Sequence, residues 1–203
     1  MRRALLTIAI LLPTAVFSKQ VTLRIPLEPE AYIVVLSFDD ERVSVKDVKL
    51  WMQLHENAYY ATPIDGYYPT ECQLADVPKI EAAIKKTEQI VNDLDPNNYP
   101  AGLTDVVRYL KDLQSFWLWL ARQELTFVKA SKLPQTEYNG VDLGACQAPA
   151  PTDKAHACYQ VFNQWHTCAN NKMIKKLGAY PKEKWKAFLD SLGIQERLES
   201  TVD

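Results

Sequence analysis

From Leu103 to Phe127 the apolar residues recur in alternating steps of three and four: Leu103, Val106, Leu110, Leu113, Trp117, Leu120 and Phe127, with Glu124 standing in the same stripe. That period is one face of an α-helix, and a helix this long must find partners along its whole length. The stripe therefore predicts a mainly α fold with this helix, about Leu103 to Lys129, at its centre. Around Trp117 the apolar face widens, which predicts packing on two sides.

Other helices can be placed around it. Ser44 to Asp47 resembles a capping box, and Val48, Trp51 and His55 follow at helical spacing, giving a short helix over about Val45 to Leu54. Ile80, Ile84, Thr87, Val91 and Leu94 form one face of a second helix, with Asp76 expected as its N-cap and its end before Pro96. After a long connection from Ala130 to Pro151, a helix capped by Thr152 carries Phe162, Trp165, Ala169 and Met173 and closes at Gly178. Pro181 opens a further helix with Trp185, Phe188 and Leu189, closed by Gly193, and a last short turn spans Ile194 to Glu199. The expected architecture is an antiparallel bundle of three long helices plus shorter C-terminal helices.

The β-like residues lie at the other end. Gln20 to Ile25 alternates, and Tyr32 to Phe38 is rich in β-branched and aromatic residues, so a small N-terminal β element is expected. Before it, Met1-Arg2-Arg3 and the apolar run from Ala4 read as a removable signal peptide ending at Ser18. The chain thus divides into a leader (1–18), an extended β segment (19–43) and a helical domain (44–203). No later apolar run approaches the ~20 residues that a membrane-spanning helix needs. Export, to a periplasm or to the outside, follows from the leader.

Export also accounts for the four cysteines, Cys72, Cys146, Cys158 and Cys168, as two disulfides. Cys158 and Cys168 lie ten residues apart on one expected helix. That is roughly 15 Å along the axis, beyond the ~7 Å reach of a disulfide. Both remaining connectivities tie Cys72 to this helix, and Cys72–Cys168 with Cys146–Cys158 is preferred.

Composition excludes several functions. Six glycines among 203 residues argue against a glycine-rich phosphate loop, and a net charge of −2 does not suit nucleic-acid binding. The sequence His55-Glu56-Asn57-Ala58-Tyr59 lacks the second histidine that a zinc protease motif requires. His156 and Cys158, like His166 and Cys168, are two residues apart and so point to opposite sides of a helix, so neither pair can share a metal, and no metal site and no cofactor are expected. A lysine cluster (Lys172, Lys175, Lys176, Lys182, Lys184, Lys186) reads either as a contact for an anionic partner or as helix-end and solvent-face residues.

Three functional readings remain. A stretch dense in tyrosine (Tyr59, Tyr60, Tyr67, Tyr68) suits recognition of a protein or cell-envelope component by a non-enzymatic domain. A hydrolase would use Glu124, a carboxylate in an apolar stripe, or His166. A carrier of an apolar small molecule would hold its cargo among Trp117, Trp119, Phe127, Phe162 and Trp165. The first is preferred, because no complete catalytic constellation is present.

Overall fold

The computed structural model describes residues 19–27, 32–64, 70, 73–130, 132, 134–146 and 154–200. In chain order these form β1 (Gln20–Leu27), β2 (Tyr32–Asp39), α1 (Val45–Tyr59), α2 (Val77–Asp93) and α3 (Thr104–Ala130). There follow β3 (Glu137–Tyr138), β4 (Val141–Asp142), α4 (Lys154–Leu177), α5 (Lys182–Ser191) and β5 (Gln195–Ser200). The described chain is mainly helical with a small antiparallel sheet, and it divides into two compact units.

The larger unit, Lys46–Ser191, is organised by α3. Leu103, Val106, Leu110, Leu113 and Leu120 are completely buried, and so are Val107, Phe116 and Ala121 on the widened face. On one side lies α2: Arg122 pairs with Glu88 at 2.6 Å and Lys129 with Glu81 at 2.5 Å, a register that makes the two helices antiparallel. On the other lies α4, also antiparallel, joined through Trp117 and His166 (ring centroids 5.2 Å apart) and through Phe127 and Phe162 (5.8 Å). In front of α3, Gly102 lets α5 come close, since a Cβ there would stand 2.8 Å from Phe188 Cδ2.

Two helical details differ from expectation. The first helix continues past Leu54 to Tyr59. Its stripe passes through His55, which stacks on Trp185 at 4.4 Å, and is carried on by Ala58, completely buried, a residue too small to mark an apolar face by itself. Asp76 does not cap α2 with its side chain; its Oδ2 accepts from the Gln73 N–H at 3.0 Å and closes the short 3₁₀ turn Leu74–Asp76 instead.

The smaller unit, Met1–Val45 with Leu192–Asp203, holds the sheet in the order β1-β2-β5. The expected turn over Ile194 to Glu199 is therefore corrected to a strand: Gln195 to Ser200 pairs antiparallel with β2, from Ser37↔Gln195 to Tyr32↔Ser200. Cross-strand hydrogen bonds to β2 override a local sequence that names neither state. One face of the sheet carries Leu23 and Ile25 beside buried Leu36 and Val34. On the opposite face, Arg24 and Arg197 flank Val35, and both arginines bind Glu199, at 2.6 and 2.8 Å.

Candidate functional site

α1 ends in a Schellman motif. The Thr62 N–H donates to the Asn57 carbonyl at 3.0 Å and the Ala61 N–H to the Ala58 carbonyl at 3.3 Å. Ala61 takes the left-handed position, φ 51°, where glycine is usual. This sharp exit brings Tyr59 and Tyr60 edge to face, 5.0 Å between centroids, and leaves them 44% and 48% exposed. Beneath them lies an aromatic base. His55 stacks with Tyr59 (5.9 Å) and Trp185 (4.4 Å), its Nδ1 is 2.6 Å from the Tyr180 hydroxyl, and Tyr180 also meets Tyr109 at 5.8 Å. The Lys182 ammonium stands over the Tyr59 ring at 4.9 Å.

Burial, aided by the Lys182 charge, lowers the His55 pKa from 6.5 to about 4, so this imidazole is neutral at physiological pH. Glu56 beside it has one carboxylate oxygen buried with no hydrogen-bond partner among the described residues, and desolvation pushes its pKa upward.

Polar side chains of α3 hold the chain that leaves this face. Gln114, completely buried, donates from Nε2 to the Thr62 carbonyl and accepts at Oε1 from the Ile64 N–H, both at 3.0 Å. Glu124, also completely buried, accepts at Oε1 from the N–H and the hydroxyl of Thr70, both at 2.7 Å. These bonds replace the partners that backbone groups outside helices and sheets lack. Gln123 does the same for the Gln135 N–H at 3.0 Å. The sequence singles out Glu124 as an intruder in an apolar stripe, but gives Gln114 and Gln123 no role. The signal was their place on the widened face of the central helix.

The structure thus places Tyr59 and Tyr60 together at the surface, while Tyr67 and Tyr68 lie outside the described residues. Glu124 and His166 do not share a described contact. His166 is buried beside Trp117 (5.2 Å) and Phe162 (6.3 Å), and desolvation lowers its pKa to about 4. The rings named for a carrier touch one another: Trp119 meets Trp165 at 5.6 Å and Phe162 meets Trp165 at 5.3 Å. His55 of the incomplete zinc motif is a packing residue, as described above.

The preferred disulfide pairing is corrected. Cys146 bonds Cys168, with Cα atoms 5.4 Å apart, rather than either partner in the preferred scheme. The exclusion of Cys158–Cys168 stands, because one continuous helix carries both residues. The reason lies in the β3–β4 hairpin, which stands inside the long connection expected from Ala130 to Pro151. Asn139 (φ 46°) and Gly140 (φ 74°) form its two-residue turn, and the chain after it delivers Cys146 to Cys168. One stripe of α4 then fixes this hairpin: Cys168 covalently, Lys172 by donating to the Asp142 carbonyl at 2.7 Å, and Lys176 by donating to the Asn139 carbonyl. Half-engaged lysines complete the cluster, with Lys184 near Asp105 at 3.8 Å and Lys182 on Tyr59. Cys72 and the Cys158 side chain lie outside the described residues, as does the expected leader.

Among the described residues no group of three or more His, Cys, Asp or Glu is placed to hold a metal ion, and no helix is long and apolar enough to cross a membrane. No protein-family model matches the chain, and neither characterised proteins nor solved structures show a similar one.

Proposed function

We propose that this chain is an exported, non-enzymatic helical domain that binds a protein or a cell-envelope component through the tyrosine face at the end of α1. The observation that carries the reading is the pair Tyr59 and Tyr60, about half exposed and set on a packed aromatic base by a strained backbone turn. Tyrosine offers large contact area with few rotamers to freeze, and loops on a rigid scaffold are where recognition residues collect. We read that scaffold as an antiparallel bundle of α2, α3 and α4, stapled by disulfide. Export rests on the Met1–Ser18 pattern together with the Cys146–Cys168 bond. The hydrolase alternative is weaker, because the Glu124 Oε1 atom is occupied by Thr70.

The test compares the wild-type chain with Tyr59→Ala/Tyr60→Ala. Co-sedimentation is measured with isolated cell walls, with vesicles of anionic lipid, and with purified envelope proteins after cross-linking. The expected result is retention by one of the three probes, reduced at least tenfold in the double variant while the thermal midpoint stays within a degree or two. A midpoint that falls by several degrees with retention unchanged would make these tyrosines structural and remove the proposal's basis.

A further inference from the structure

We infer that two copies of this chain pair edge to edge through β5, antiparallel and centred on Leu198, to form one continuous six-stranded sheet. Among the described residues the sheet has two outer strands, and they are built differently. β1 carries Pro26, which has no N–H to offer a neighbour. β5 has no proline, pairs with β2 through six consecutive residues without a bulge, and is exposed from Gln195 to Leu198. A strand edge of this kind is a template for another strand.

Leu198 points to the partner. It is 65% exposed, whereas Val34, directly opposite on β2 and on the same face, is 3% exposed. A second strand alongside would extend that apolar row. The charges then choose a second copy of this strand and its register. A two-fold axis perpendicular to a sheet keeps each face continuous, so residues that meet across it have the same parity. Centring on Arg197 sets Arg197 against Arg197, and centring on Glu199 sets Glu199 against Glu199. Centring on Leu198 sets Leu198 against Leu198, Arg197 against Glu199 in both directions, and Glu196 against Ser200. Arg197 and Glu199 already meet at 2.8 Å within one copy, so both side chains lie on the face where the exchange takes place.

The contact is one strand wide, smaller than the ~800 Å² per partner of a standard interface, so the dimer is a concentration-dependent one. Sedimentation velocity on the purified chain, diluted a hundredfold from about 500 µM, is expected to show the mass falling from dimer to monomer. Arg197→Glu and Leu198→Lys, at exposed positions, are each expected to abolish the dimer with an unchanged circular dichroism spectrum. Adding Glu199→Arg to Arg197→Glu is expected to restore it. A wild-type chain that stays monomeric throughout overturns the proposal. So does a dimer indifferent to both single substitutions, which would lie elsewhere or involve another surface. Loss without restoration in the double variant overturns the register centred on Leu198.

Discussion

Ala61 holds a left-handed backbone, φ 51°, at the one point where the chain turns away from α1. Its Cβ makes that conformation unfavourable by roughly 1 kcal/mol, which glycine would relieve. Ala61→Gly is accordingly expected to raise unfolding stability by about 0.5–1 kcal/mol in urea denaturation, net of the unfolded-state entropy that glycine adds. Glu124 gives the opposite kind of prediction. Its Oε1 satisfies both the N–H and the hydroxyl of Thr70 inside the protein. Glu124→Gln keeps an acceptor oxygen and should cost little. Glu124→Leu removes the acceptor that both Thr70 donors share inside the protein and should cost about 2–4 kcal/mol by the same measurement. The sequence marks Glu124 as anomalous because a charge sits in an apolar stripe. It cannot name Thr70 as the partner, because one donor is a backbone N–H, which has no side-chain code, and the other a hydroxyl 54 residues away with no pattern linking the two. The same limit hid Gln114, whose two hydrogen bonds go entirely to the main chain of Thr62 and Ile64.

At the scale of elements, the hairpin β3–β4 hangs on three successive turns of α4 through Cys168, Lys172 and Lys176. Cys146 and Cys168 are 22 residues apart, and closing a loop of that size contributes on the order of 3 kcal/mol. Cys168→Ser should lose about that amount in denaturant unfolding, whereas Lys172→Met should lose under about 1 kcal/mol, the net worth of one partly exposed hydrogen bond. The long helices were legible because period and length reinforce one another: α3 departs from its expected span by a single residue at each end. Short strands lack that redundancy. β3 and β4 have two residues each, too few to alternate, and only Asn139-Gly140 announced them. β5 failed to show because as an outer strand it is exposed on both sides, which erases the apolar alternation that marks a half-buried strand.

For the molecule as a whole, two neutral buried histidines set a pH response. His55 and His166 have pKa values near 4 in the folded protein against 6.5 ordinarily. Between these limits the unfolded chain takes up protons that the native one refuses, so stability falls as pH drops from about 6.5 to about 4, by up to about 3 kcal/mol per histidine. Glu56, pushed upward, acts in the reverse sense and softens the slope. Denaturation at about pH 7 and about pH 4.5 should show lower stability in acid, and His166→Gln should reduce the difference. Wild-type stability that rises on acidification would contradict both assignments. The sheet, finally, has a consequence in time. β2 bonds β1 from its own end of the chain but bonds β5 across a span such as Ser37 to Gln195. A ribosome releases β5 only after every described helix has been made, and closing so long a loop is entropically slow. Until β5 arrives, β2 of the β1–β2 ribbon keeps one strand edge open, and an open edge in a partly made chain is a site where aggregation starts.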